Sequence, residues 1–225
     1  MCGAASHDRI VQHHPPPAVN LAVLHADDAL IVVDKPSGML SVPGRGAHLQ
    51  DCAASRVQAM FGDALVVHRL DMATSGLMLF ARGIDAQRTL SRAFAQREVH
   101  KRYVAVVHGH LLQTQGEIDL PLIADWPNRP LQKVDRENGK PSTTRYRVIG
   151  VEGDRTRVEL EPVTGRAHQL RVHLLAIGHA IVGDALYAPP EALAGAERLL
   201  LHATQLRFAH PVHGAPMTLN SPVPF

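Results

Sequence analysis

Short β-type runs follow one another along this chain with too few helical segments between them to wind a parallel sheet. ALIVVD (29–34) is an apolar run stopped by Lys35-Pro36-Ser37-Gly38, the turn chemistry that closes a strand. ALVVHRLD (64–71) and GLMLFAR (76–82) read as two more, joined by HRLDMATSG. Further strands are expected at KRYVAVVHGHL (101–111), STTRYRVIGVE (142–152), RTRVELEPV (155–163), LLLHATQLRFAHP (199–211) and PMTLN (216–220). Helical spacing occurs at LQDCAASRVQAMFG (49–62), where Ala53, Val57, Met60 and Phe61 share a face and Gly62 is the stop. It recurs at DAQRTLSRAFAQREV (85–99), with Asp85 as N-cap and Leu90 and Phe94 four apart, then at TGRAHQLRVHLLAIGH (164–179), entered after Gly165, and briefly at PPEALAGAER (189–198). Strands outnumber helices and adjoin one another, so the expected class is α+β with a mixed, mostly antiparallel sheet.

Residues 1–20 contain HHPPP and few apolar anchors, and are expected to be a disordered or loosely attached tail. The globular part is expected over 21–225. Residues 116–141, GEIDLPLIADWPNRPLQKVDRENGKP, hold four prolines and the only tryptophan, which predicts a long surface excursion outside the core.

Composition excludes more than it identifies. A hydrophobic fraction of 45% and a charged fraction of 20% fit an ordinary globular protein. No apolar run approaches the ~18 residues of a membrane span, and the N-terminus lacks the layout of a signal peptide, so no membrane partner is expected and the cytoplasm is the default location. Two cysteines, Cys2 and Cys52, make no disulfide framework. Fifteen histidines invite a metal reading, but none of the close pairs forms a recognised ligand set, so no metal is expected. A net charge of +2 permits a polyanionic partner without demanding one.

Four constellations carry candidate chemistry. In HRLDMATSG, Asp71 reads either as a turn residue or as an acid presented on a strand-end loop, with Arg69 and His68 beside it. In GRAHQLRVH, helical geometry puts Arg166, Gln169 and His173 on one face and Arg171 about 160° from the last two. These serve one pocket only if the first of them precede the helix; otherwise they form a solvated face. A buried Arg171 needs a carboxylate, and Asp71 is available. Tyr103 reads as packing or as a ring for stacking a flipped base. Arg129, Lys133, Arg136 and Lys140, with Trp126 nearby, read as a scattered solvated charge or as a phosphate grip with a stacking plate.

Together, HRLDMATSGLMLFAR, KRYVAVV, GRAHQLRVHLLAIGHAIVGDALY and RLLLHA stand in the order and spacing of the RluA-type pseudouridine synthases. The chain resembles that family from about Leu24 to its C-terminus. DLPLIADWPNRPLQKV and KPSGMLSVPGR are similar to its short, dual-specificity branch, which acts on 23S ribosomal RNA and on the anticodon stem-loop of tRNA. That branch lacks the N-terminal S4-type RNA-binding domain of many relatives, and none is expected here. One departure is His179-Ala180-Ile181, where the family commonly has a proline before the isoleucine; a local backbone effect is expected.

The resemblance implies one mixed sheet with flanking helices and a central active-site cleft. It implies Asp71 as catalytic acid, Arg171 as its salt-bridge partner and Tyr103 stacked on the target uracil. Arg69 would fill the gap left by the flipped uridine, His68 would be positional, Arg129, Lys133 and Arg166 would hold RNA, and Leu174 and Leu201 would be apolar walls. The implied reaction is redox-neutral and needs no cofactor; a monomer is the default. The rivals are a catalytically silent RNA-binding protein on the same fold, and a small-molecule hydrolase using His68 and Asp71.

Overall fold

The computed structural model describes residues 21–225; the expectation of a loose tail at 1–20 lies outside the described residues. One large sheet organises the chain. Its strands are β1 (Ala22–Ala26), β2 (Leu30–Lys35), β3 (Ala64–Val66), β4 (Ser75–Arg82), β5 (His100–His108), β6 (Gln115–Asp119), β9 (Thr143–Glu152), β10 (Arg155–Pro162), β11 (Leu201–Ala209) and β12 (Pro216–Asn220). A separate two-stranded hairpin is made by β7 (Leu122–Ala124) and β8 (Gln132–Val134). The sheet order is β1-β2-β4-β11-β5-β10-β9-β6, with β12 added to β11 and β3 to β4. Every pairing is antiparallel except β4 with β11. The mixed, mostly antiparallel α+β expectation is borne out.

The strands β2 and β4 are buried on both faces, which explains their unbroken apolar sequence. Ile31, Val33, Met78 and Phe80 pack with Ala53, Ala54 and Val57 of helix α1 (Ala53–Met60). Leu30, Val32, Leu77 and Leu79 pack on the other side with Ala86 and Leu90 of helix α2 (Ile84–Ala95). Met60, expected on the α1 face, is 48% exposed, because the helix ends there and its last turn leaves the sheet. The α2 N-cap is Gly83, not Asp85, which sits in the first turn and makes no cap bond; there its charge faces the positive end of the helix dipole.

A third core joins β5, β10 and β11 to helix α3 (Gln169–Ala176) through Val107, Leu160, Leu170, Leu174 and Leu201. The helix starts at Gln169, not after Gly165. Arg166 and His168 therefore precede it, and the helical-face geometry does not apply to them. The last helix, α4 (Pro190–Leu193), is a single turn.

Residues 116–141 lie mostly at the surface, as expected, but are not wholly irregular. Their first part is β6, hydrogen-bonded along β9, and Ile118 and Leu122 are buried. The β7–β8 hairpin follows, turning at Trp126–Asn128. Prolines lie between these short strands, where no ladder hydrogen bond is lost. The His179-Ala180-Ile181 departure is absorbed locally: the His108 N–H donates to the Ala180 carbonyl and Ile181 bridges Val107. No helix among the described residues is long and apolar enough to cross a membrane.

Gly76 sits at the parallel crossing of β4 and β11, opposite Ala203, with φ +112. A Cβ there would lie 2.3 Å from the Ala203 carbonyl oxygen and 2.6 Å from its nitrogen. Only glycine lets the two backbones meet. Gly76→Ala is therefore expected to cost about 3 kcal/mol or more in denaturant unfolding, whereas Gly62→Ala, which meets nothing within 4 Å, should change stability by less than about 0.5 kcal/mol.

Candidate active site

The loop between β3 and β4, residues 67–74, carries Asp71 at the rim of the sheet. Such a loop holds a side chain in place only if its backbone polar groups are satisfied. The segment after β2 does this. Ser41 Oγ donates to the Leu70 carbonyl at 2.6 Å and accepts from the Leu70 N–H at 3.0 Å. The Gly38 N–H and Lys35 Nζ donate to the Met72 carbonyl at 2.9 and 3.1 Å, and Ser37 Oγ donates to that of Ala73 at 2.7 Å. Lys35 is fully buried, and its Nζ also donates to the carbonyls of Pro36 and Met39. Burial pushes Lys35 down to about 7, while the Asp71 charge pulls it up and Arg198 pushes it further down. Three carbonyl acceptors require the three N–H donors that only the ammonium possesses.

The far end of the loop is tied to β11. Arg198 Nη2 donates to Ser75 Oγ, which leaves the Ser75 hydroxyl to donate to His202 Nδ1 at 2.9 Å. His202 Nε2–H then donates to Ser221 Oγ at 2.9 Å, and Ser221 donates to Asp34 at 2.8 Å. The chain of donors has one consistent direction, and burial keeps His202 neutral by lowering its pKa.

Asp71 itself is 29% exposed, whereas Arg171, whose Nη1 lies 3.5 Å from Asp71 Oδ2, is 4% exposed. The strongest partner of Arg171 is another residue, Asp184, which is 1% exposed. Arg171 Nε donates to Asp184 Oδ2 at 2.8 Å and Nη2 to Oδ1 at 2.6 Å. Asp184 Oδ1 also accepts the N–H groups of Leu186 and Tyr187. Burial lowers the Arg171 pKa, but the Asp184 hydrogen bonds and the charges of Asp184 and Asp71 outweigh it and raise the value. The guanidinium therefore stays charged, with two of its nitrogens spent on Asp184 and one turned to Asp71. Asp184 is the residue the sequence reading missed. Its signal was present in GDALY, a carboxylate following a glycine whose own Cβ would strike the Arg198 carbonyl.

The expected separation around α3 is observed. Gln169 bonds Thr164, the Arg166 N–H, and Thr143 and Thr144 of β9, while His173 bonds Thr144 and the Leu120 carbonyl. That face locks the helix to the sheet. Arg171, on the other side, serves the Asp71 loop.

Tyr103 of β5 is partly buried against the third core, with Leu174 and Leu201 among its members. Burial and the nearby Asp71 charge push its phenol well above the ordinary tyrosine range, so it stays protonated. His68 is turned inward: its Nε2 accepts the Leu79 N–H at 2.9 Å and its ring stacks on Phe94. Burial, then the Lys101 charge, lowers its pKa to about 3. The His68 ring is thus occupied inside the protein and does not face the RNA side. Arg69, Arg129, Lys133 and Arg166 are exposed. Arg129 lies over the Trp126 ring, which is 69% exposed, at the hairpin turn, and Arg166 donates to the Pro141 carbonyl. Gln132 of β8 donates its N–H to the Tyr187 hydroxyl at 2.8 Å, which brings the hairpin against the site. Among the described residues, no group of three or more His, Cys, Asp or Glu side chains is placed to hold a metal ion.

The family model for RNA pseudouridylate synthase matches residues 29–176. The chain is 52% identical to the dual-specificity RNA pseudouridine synthase RluA of Escherichia coli, over 95% of this chain and 98% of that one. It is 49% identical to the Pasteurella multocida protein of the same name, over 96% and 99%. Among solved structures, the human RNA pseudouridylate synthase domain containing 1 superposes with a TM-score of 0.78 at 29% identity, covering 94% of this chain and 87% of the other. With Asp71, Tyr103 and Arg171 gathered on the fold shared with these relatives, the chain belongs to the RNA pseudouridylate synthase family and is an RNA pseudouridine synthase, an isomerase.

Proposed function

We propose that this isomerase, with residues 21–225 as one catalytic domain, converts specific uridines in 23S ribosomal RNA and in the tRNA anticodon stem-loop. It would act as a monomer in the cytoplasm, where both RNAs reside. The choice of RNAs rests on the similarity to relatives named dual-specificity synthases. The observation that carries the chemistry is Asp71, a loop carboxylate facing a buried arginine whose main partner is a second acid. Such an acid keeps a cationic neighbour yet remains free to reach a substrate.

Asp71 is the reacting group. It removes the C2′ proton of the flipped uridine as the N1–C1′ bond breaks, leaving a glycal and a uracil anion. The uracil turns, C5 bonds to C1′ as the proton returns to C2′, and the C5 proton leaves while N1 is protonated. Atoms and electrons balance without an oxidant, so no cofactor is called for. Covalent attack of Asp71 on C1′ is the alternative use of the same carboxylate. Tyr103 stacks on the uracil, and Leu174 and Leu201 close the apolar side. Arg69 enters the RNA stack and offsets part of the few kcal/mol that flipping costs. Arg129, Lys133 and Arg166 hold phosphates, with Trp126 as a stacking surface. A silent binding protein is not favoured, because Asp71, Tyr103 and Arg171 are all present.

Mass-spectrometric nucleoside mapping after carbodiimide labelling, on separate unmodified tRNA and 23S rRNA, should find new pseudouridine in both. Asp71→Asn should form none while keeping its melting temperature and RNA affinity; product from that variant would refute the mechanism. Asp184→Asn should cost about 3–5 kcal/mol in unfolding, the penalty for unpairing a buried arginine, and should lower turnover as Arg171 reorients. Arg129→Ala and Lys133→Ala should each lower the slope of log affinity against log salt by about 1; an unchanged slope would mean these charges only face solvent.

A further inference from the structure

His168 lies beside Asp71 but has no part in the chemistry just described. It is the residue before α3, held at φ 54 and ψ 16, a left-handed conformation unusual for a side chain with a Cβ. It makes no side-chain cap to the helix it precedes. Its ring, 13% exposed, points the other way, between Tyr187 and Asp71. Nδ1 lies 2.6 Å from the Tyr187 hydroxyl, and Nε2 lies 4.0 Å from Asp71 Oδ1.

The tautomer follows from counting protons. The Tyr187 hydroxyl accepts the Gln132 N–H at 2.8 Å, and among the described residues its own proton has one acceptor within reach, His168 Nδ1. Burial, with the charges of Asp184 and Asp71, pushes the phenol up to about 12 against the Gln132 N–H and Arg171, so the proton stays on it. Burial likewise lowers the His168 pKa; Asp71 and Asp184 raise it, and Arg171 lowers it. A neutral imidazole that accepts at Nδ1 carries its hydrogen on Nε2. The Asp71 carboxylate therefore faces a different N–H on each oxygen: Arg171 Nη1 at 3.5 Å from Oδ2 and His168 Nε2 at 4.0 Å from Oδ1.

We propose that His168 is a positioning residue for Asp71. Its Nε2–H orients Oδ1 as Arg171 orients Oδ2, with its tautomer set by Tyr187 and by the backbone N–H of Gln132 in the β7–β8 hairpin. The inference rests on the reading of Asp71 as the reacting group. A closing movement of about 1 Å would turn the Nε2 contact into a hydrogen bond. The donor that fixes the tautomer adjoins Lys133 on the hairpin proposed to hold RNA. Docking of RNA on the hairpin is thereby linked to the orientation of the acid through a single chain of three hydrogen-bonding groups.

Two amide substitutions separate this role from a purely structural one. The side-chain nitrogen of His168→Gln reaches the position of Nε2 and keeps a donor toward Asp71. The oxygen of His168→Asn stands where Nδ1 was and keeps only the acceptor for Tyr187. Single-turnover pseudouridine formation on an unmodified tRNA anticodon stem-loop transcript, read by tritium release from uracil C5, should stay within about tenfold of wild type for the glutamine variant and fall about 100-fold for asparagine. Filter-binding affinity should stay within about twofold in both. Asparagine matching or exceeding glutamine, or both matching wild type, would overturn the proposal. Independently of activity and of RNA, long-range proton–nitrogen correlation spectra of the wild-type protein should show His168 with its hydrogen on Nε2, and Tyr187→Phe should abolish that fixed tautomer. A hydrogen on Nδ1 in the wild type would overturn the proposal even if either amide variant failed to fold. A wild-type protein inactive on the transcript would instead refute the substrate reading and leave the spectra to decide the role of His168.

Discussion

The site depends on a guanidinium shared unequally between two carboxylates. Arg171 is buried, and a buried cation with no partner is among the most costly features a fold can carry. Asp184 meets that cost with two short bonds in the fork geometry that guanidinium and carboxylate share. What remains for Asp71 is one nitrogen at 3.5 Å. Had Arg171 bonded Asp71 with both nitrogens, the acid would be a structural group, pinned and shielded. With Asp184 as the primary partner, Asp71 keeps a positive neighbour, an open face and room to move.

A loose acid is useful only on a rigid loop. From the β2 side, Lys35, Ser37, Gly38 and Ser41 take up the carbonyls of Leu70, Met72 and Ala73. From the β11 side, the donor chain from Arg198 through Ser75 and His202 ends on Asp34, back in β2. The loop is thus fastened to the sheet at both ends by polar groups. The parallel crossing at Gly76 brings β11 close enough for this to happen. Lys35, which reads in sequence as a turn residue of KPSG, is the fully buried hub of the fastening.

Much of the fold was legible because local periodicity and burial agree. The apolar runs of β2 and β4, set off by turn residues, read as strands. The helical spacing of Ala53 with Val57 and of Leu90 with Phe94 marked the two helices that cover them. Within residues 116–141 the strand β6 was missed because prolines and charges dominate the stretch locally. Strand β6 is specified by its partner β9, and pairing across that distance leaves no periodic trace in a strand of five residues. The start of α3 was misread for a similar reason. Gly165 looks like an entry point, but Gln169 bonds Thr164 and the Arg166 N–H and holds the preceding residues in a turn.

The sequence by itself determined the family and the class of chemistry, and it pointed to Asp71, Tyr103 and Arg171 as candidates, because a motif names the side chains a reaction requires. It also determined that Arg171 points away from Gln169 and His173, since helical geometry fixes that angle within one element. Which carboxylate holds Arg171, which way the His168 ring carries its hydrogen, and that His68 packs inward were decided by the tertiary structure alone. Each depends on distances between groups far apart in the chain: Asp71 and Arg171 are 100 residues apart, and Tyr187 is 55 from Gln132. A chain encodes such distances only through the whole of its packing, so the angle within a helix can be read from the sequence and the choice of partner across the sheet cannot.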